Sequence, residues 1–236
     1  MIECRDLTIL YKSGKGIFDI NLSIPDGGCV TLVGPSGSGK STLLHGIAGW
    51  LQPHSGEVLP NVDNPALGIV PQEDALYPWL TAAGNAALGL KGRVREHRDR
   101  LEELFLSLEL ETETLDRLPG NLSGGQRRRV ALARTLINNP DILLLDEPSS
   151  SLDTFTKESL QDLLLTMHIK KARTTILVTH SIEEAIFLGE SIIVMNEGRI
   201  KKIFSNPLFP DPEARTHKQF YELLLNIRSY LKEGVG

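Results

Sequence analysis

Two cysteines in 236 residues are too few for a disulfide framework. Both Cys4 and Cys29 stand inside apolar, strand-like segments, which predicts reduced core residues rather than metal ligands. No apolar run approaches the about 18 residues that span a bilayer, and the start lacks the basic-then-apolar pattern of a secretory signal. Both absences predict a protein made and kept in the cytosol. Basic excess is missing as well: Lys plus Arg count 25 against 30 for Asp plus Glu, for a net charge of −5. No stretch forms a basic stripe, so nucleic acid is excluded as a primary partner. There is no internal repeat and no low-complexity segment. The chain is long enough to bury a sizeable core as one large domain carrying a subdomain.

What is present is more specific. Gly34-Pro35-Ser36-Gly37-Ser38-Gly39-Lys40-Ser41-Thr42 fits the phosphate-loop pattern G-x-x-x-x-G-K-S/T. An apolar strand, residues 29–33, precedes it and a helical pattern, residues 41–48, follows, so a flexible linker does not fit. Glycines let the backbone curl until successive N–H groups and a helix N-terminus face one anionic group. Lys40 adds a point charge for the outer phosphates, and the Ser41 hydroxyl is placed to ligate Mg²⁺, a hard cation that prefers oxygen.

Strands are expected at residues 2–10 and 17–24, separated by Ser13-Gly14-Lys15-Gly16 and closed by Pro25-Asp26-Gly27-Gly28. They predict an antiparallel sheet over residues 1–28. Beyond it, apolar strands at residues 67–70, 142–145, 175–179 and 192–195 alternate with helical patterns, which predicts a parallel sheet with crossover helices. Residues 73–135 lose the strands and read as a helical subdomain, with Val94, Leu101, Leu104, Phe105 and Leu108 on one apolar face. The mixed-sign run of residues 93–100 reads as the solvated face of that helix. The tail, residues 205–236, ends in an apolar-periodic stretch through Phe220, Leu223, Leu224, Ile227 and Leu231 that should dock as a helix.

Ile142-Leu143-Leu144-Leu145 runs into Asp146-Glu147-Pro148, the signature of a buried parallel strand whose C-terminal end emerges at a ligand crevice. Successive residues leaving a strand point to opposite sides, so Asp146 suits a Mg²⁺ shell and Glu147 suits the attacking water. Residues 174–179 lead into His180, again at the carboxyl edge of the sheet. Leu122-Ser123-Gly124-Gly125-Gln126, followed by Arg127-Arg128-Arg129, places Ser123 at a second helix start. That start can bind an anion or simply be capped by Ser123 above a solvated arginine face.

With these motifs in this order, the chain resembles the ATPase subunit of ATP-binding cassette transporters over nearly its whole length. The resemblance implies an α/β fold of P-loop NTPase type: a mainly parallel RecA-like core (29–72 and 136–204), an N-terminal antiparallel β region (1–28), a helical subdomain (73–135) and a C-terminal helical tail (205–236). Residues 34–42 would be the Walker A loop, Leu122, Ser123, Gly124, Gly125 and Gln126 the signature, Asp146 the Walker B carboxylate, Glu147 the catalytic base and His180 the switch histidine. Gln72 would be the Q-loop glutamine, touching Mg²⁺ or water, although a plain loop amide reads the same. Asp153 in Ser151-Leu152-Asp153 would belong to the D-loop at the dimer interface, whereas unaided it reads as a helix cap. Tyr11 falls where the family stacks an aromatic on adenine, with strand packing as the rival reading.

The family binds two ATP molecules between two head-to-tail copies, so the implied cofactors are ATP and Mg²⁺ and the implied partner is a second copy. Gly28 stands where many members carry glutamate, and Ser181 where aspartate is common. Residues 76–90, with Leu76, Tyr77 and Trp79, are similar to the nitrate, sulfonate and taurine importer group. This implies transmembrane permease subunits, an extracytoplasmic solute-binding protein, and a place at the cytoplasmic face of the membrane. Leu76, Tyr77 and Trp79 are expected either to receive a permease helix or to be buried in the subdomain. The rival readings are an exporter or lipoprotein-release motor and a non-transport cassette of the iron–sulfur assembly kind.

Overall fold

A computed structural model describes residues 1–60 and 65–233. In chain order the elements are β1 (Ile2–Leu10), β2 (Gly16–Ile24), β3 (Cys29–Val33), α1 (Lys40–Ile47), β4 (Ser55–Pro60), β5 (Leu67–Val70), α2 (Ala82–Ala86), α3 (Arg98–Ser107), α4 (Gly124–Leu136), β6 (Ile142–Asp146), α5 (Thr154–Lys170), β7 (Thr174–Val178), α6 (Ile182–Leu188), β8 (Ser191–Asn196), β9 (Arg199–Ser205) and α7 (Lys218–Glu233).

Six strands form one sheet in the order β5-β6-β7-β3-β8-β9. The first five run parallel and β9 returns antiparallel to β8. Every residue of β3, β6 and β7 is buried, as expected of central parallel strands covered on both faces. Alternation sorts them. Leu32, Leu144, Ile176 and Val178 face a core shared with the small antiparallel sheet and α1. Val33, Leu143, Leu145 and Leu177 face a second core, closed by α4, α5, α6 and α7.

Two strands escaped the sequence reading. The strand β4 contains only Val58 and Leu59 as large apolar residues before its terminal proline, yet it pairs with β1, giving the order β2-β1-β4. Gly56 makes this possible: its φ is 73°, and a Cβ there would lie 2.3 Å from the Asp6 carbonyl oxygen. The strand β9 mixes charged and apolar residues at an edge, where lysines protect against edge-to-edge pairing. It is joined to β8 by Glu197 and Gly198, both at positive φ (51° and 73°), as a two-residue hairpin turn requires.

In the helical segment, Leu101, Phe105 and Leu108 are fully buried and Leu104 partly so, but Val94 is exposed. Val94 opens a separate 3-10 turn, residues 94–97, in which Glu96 accepts from the Arg93 N–H, so it falls out of phase with α3. Nor is the charged run simply solvated: Arg98 forks onto Asp116 at 2.9 and 3.1 Å, and Arg100 donates to the Ile137 carbonyl. In α7, Phe220, Leu224 and Ile227 are buried, with Leu223 and Leu231 packed at the margin.

Candidate functional site

Sheet order explains why distant residues meet. Gln72 follows β5, Glu147 follows β6, His180 follows β7 and the phosphate loop follows β3. These are four consecutive strands whose C-terminal ends share one edge. A cleft of about 490 Å³ opens there, lined by Tyr11, Ser36, Gly37, Gly39, Lys40, Ser41, Thr42, Gln72, Glu147 and His180, with Ser13, Lys15 and Gly16 at its side.

Gly34 and Pro35 open the loop, with the Pro35 carbonyl accepting from the Ser38 N–H at 3.2 Å, and Ser38 is buried within it. A Cβ at Gly34 would lie 2.1 Å from the Met195 carbonyl, and one at Gly39, at φ 100°, 2.6 Å from Ile17 Cγ2. Neither position admits another residue as built. Lys40 opens α1, and its Nζ donates to the Gly34 and Pro35 carbonyls at 3.0 Å each. The ammonium is buried, and that desolvation draws its pKa below the usual lysine value, opposed by the charges of Glu147 and Asp146. An arriving phosphate would restore the lost solvation. Ser41 Oγ donates to Asp146 Oδ1 at 3.1 Å, and His45 Nε2 lies 3.7 Å from Asp146 Oδ2.

Glu147 adopts φ 47°, an uncommon conformation for a residue with a Cβ and one that clusters at functional sites. Its N–H donates to the Val178 carbonyl at 2.9 Å. Gln72 Nε2 donates to Glu147 Oε2 at 3.0 Å, and His180 Nε2 rests against Glu147 Oε1. Both carboxylate oxygens are therefore held. Tyr11 is half exposed, with Oη 3.2 Å from Thr42 Oγ1 at the cleft rim. It lines the cleft and is not a packed strand residue.

The remaining predicted residues lie elsewhere. Ser123 caps α4 in a reciprocal box: Gln126 N–H donates to Ser123 Oγ at 3.2 Å, and Ser123 N–H to Gln126 Oε1 at 3.0 Å. Asp153 caps α5 through Thr156 N–H at 3.1 Å and Thr156 Oγ1 at 2.7 Å. The two helix starts touch, because a Cβ on Gly125 would lie 2.4 Å from Thr156 Cγ2. Gly124 adjoins Leu152 on the same side. This pair of starts does not line the phosphate-loop cleft of its own chain.

Sequence reading missed two buried polar centres. Arg128, grouped there with a solvated arginine face, is only 3% exposed. Its phase was the available signal, since it stands four and eight residues before the buried Leu132 and Leu136. Glu184 is 2% exposed and accepts from Ser149 Oγ at 2.6 Å, Gln161 Nε2 at 3.1 Å and Thr179 Oγ1. It ties the segment after Glu147 to the residue before His180.

Tyr77 and Trp79 are exposed, with ring centroids 5.2 Å apart, while Leu76 packs partly against the core. Fully buried Asn85 fixes their loop: it accepts from Tyr77 N–H at 2.7 Å and donates to the carbonyls of Tyr77, Leu80 and Thr81. The aromatic rings thus stay outside rather than filling the subdomain.

A family model described as ABC transporter matches residues 17–150. A putative ATP-binding protein of Brucella abortus is 42% identical over 223 residues, spanning 90% of this chain and 86% of that protein. The taurine import ATP-binding protein of Pelagibacter ubique is 40% identical over 86% of this chain and 82% of its own length. For the aliphatic sulfonates import ATP-binding protein of Bacillus cereus, the identity is 38% and the shares 92% and 88%. Among solved structures, the dimeric post-hydrolysis state of an ATP-binding cassette with ADP and Pi superposes with a TM-score of 0.77 at 35% identity, over 87% of this chain and 98% of that one.

Proposed function

Because the chain belongs to the ABC transporter family, we propose that it is the ATP-binding and ATP-hydrolysing subunit of an importer for a small solute of the nitrate, sulfonate or taurine type. The observation that carries this reading is the convergence of Lys40, Ser41, Gln72, Glu147 and His180 on one cleft, with Asp146 hydrogen-bonded to Ser41 and a second helix start, at Ser123, outside the cleft.

In this reading the phosphate-loop amides and Lys40 grip the phosphates. Glu147 takes the proton of the attacking water, and Gln72 and His180 hold its two oxygens so that the basic lone pair is aimed. The donor set fits Mg²⁺: a serine hydroxyl and a carboxylate oxygen 3.1 Å apart are hard ligands, with Gln72 nearby. Among the described residues no cluster of three or more His, Cys, Asp or Glu side chains could hold a metal. This suits an ion that takes most of its ligands from phosphate and water. Once bound, the cation would neutralise phosphate charge. Tyr11 offers a ring to the base at the cleft rim.

Ser123, Gly124, Gly125, Gln126 and Asp153 serve the nucleotide of a second copy, which is why they lie outside their own cleft. No helix among the described residues is long and apolar enough to cross a membrane. We place the protein at the cytoplasmic face through permease subunits, with exposed Tyr77 and Trp79 on the docking side, and with an extracytoplasmic solute-binding protein completing the system. The chain would supply energy, not selectivity. ATP-loaded Glu147→Gln protein, recovered from gently solubilised native membranes, should carry a multi-span permease identifiable by mass spectrometry. Enrichment of soluble partners alone would contradict the transport role.

A further inference from the structure

The ladder between β5 and β6 ends at Val70 and Leu145. Gln72 and Glu147 lie just beyond it, and Pro71 has no N–H with which to continue the pairing. Arg128 of α4 takes over at that point. Its Nη1 donates to the Pro71 carbonyl at 2.6 Å and reaches the Gln72 carbonyl at 3.3 Å and Asp74 Oδ1 at 3.4 Å. On the other side, Nε donates to the Pro148 carbonyl at 2.7 Å and Nη2 to the Asp146 carbonyl at 3.3 Å.

We infer that Arg128 is a positioning residue for ATP hydrolysis: one buried guanidinium spans the segments carrying Gln72 and Glu147 and fixes the separation at which Gln72 meets the base. This inference rests on the cassette reading above. Burying a cation costs desolvation that a leucine would avoid, so packing alone does not explain the residue. Nor would lysine serve, because a single ammonium cannot reproduce a planar fork that reaches two segments at once. Arg134, on the same helix, touches only one of them, through the Asp74 and Ala75 carbonyls at 3.1 and 2.8 Å. Arg128 belongs to the helix that begins at Ser123, so any displacement of that helix start is carried by one side chain to the Gln72 and Glu147 contact.

The test is a double-mutant cycle on ATP hydrolysis by the full chain, using wild type, Arg128→Lys, Gln72→Ala and the pair. Each single change should lower kcat on the order of 10²-fold, as misplacement of a reacting group by about 1 Å does. For Arg128→Lys, KM for ATP should stay within about two-fold, because Arg128 does not line the phosphate-loop cleft. The double variant should be no slower than the slower single one, since Arg128 acts through the Gln72 contact. Losses that multiply, in a wild type that hydrolyses ATP, would overturn the role of Arg128 alone. A wild type that does not hydrolyse ATP would remove the cassette reading and this inference together. If Arg128→Lys does not fold, Arg128→Gln takes its place in the cycle. Absence of a cooperative melt in both would make Arg128 a folding element and overturn the inference.

Discussion

Glu184 offers a test of how the catalytic edge is supported. Its carboxylate is buried and serves three neutral donors: Ser149 Oγ, Gln161 Nε2 and Thr179 Oγ1. Glu184→Ala leaves all three without their acceptor. An unsatisfied buried donor costs about 1–3 kcal/mol, and water entering from the adjoining polar cleft would offset part of that, so the loss should be ~4 kcal/mol. Glu184→Gln keeps one acceptor oxygen for Ser149 and Gln161. Thr179 Oγ1 already accepts from the Ser181 N–H at 3.0 Å and can accept from the new amide as well. That variant should lose only ~1 kcal/mol. For a chain of this size these figures correspond to Tm falling by roughly 8–16 °C and roughly 2–4 °C respectively. Differential scanning calorimetry, with urea melts to check that the m-value is unchanged, reads both. Alanine and glutamine variants that melt together, within about 1 °C of wild type, would refute the idea that the carboxylate's donors are held out of water.

Other outcomes follow from the same packing. Gly125→Ala drives a methyl into Thr156 Cγ2, and Thr156→Ser removes that atom while keeping the hydroxyl bonded to Asp153; the second change should therefore restore most of the stability lost to the first, measured by thermal melts. Burial pushes both thiols, Cys4 and Cys29, up to about 12, so a thiol reagent at pH 8 should label the native chain slowly and the unfolded chain fast. The sign of the linkage is fixed by that shift: below the usual thiol range the cysteines leave stability unchanged, and from about 9 up to about 12 the unfolded chain releases protons that the native chain retains, so stability should fall across that window in alkaline urea titrations.

Residues ending apolar runs were legible because a buried parallel strand leaves no charged side chain until it emerges. Asp146, Glu147 and His180 announce themselves as the first acidic or imidazole side chains past residues 142–145 and 174–179. Their meeting with Gln72 was not legible from local pattern, because it depends on β5, β6, β7 and β3 being neighbours, which is a property of strand order. The strands β4 and β9 were invisible for a different reason. Each is a thin edge whose stability comes from the partner strand and a glycine turn rather than from its own apolar content. Arg128 was grouped with a run of arginines that could be a solvated face, and nothing in the local pattern singled out Glu184. What buries them is a set of carbonyls, hydroxyls and an amide contributed by segments 18 to 57 residues away for Arg128 and up to 35 for Glu184, and no window on the sequence contains those partners.

If the helix start at Ser123 completes a nucleotide site on another copy, then Glu147→Gln protein should roughly double from the 26.0 kDa of one chain when ATP is added, and not when ADP is added, by light scattering. The same protein carrying Ser123→Arg should remain a single chain with ATP, since bulk and positive charge then occupy the exposed helix start. An ATP-driven doubling that survives Ser123→Arg, or no doubling at all in Glu147→Gln, would contradict a paired cassette closed by ATP.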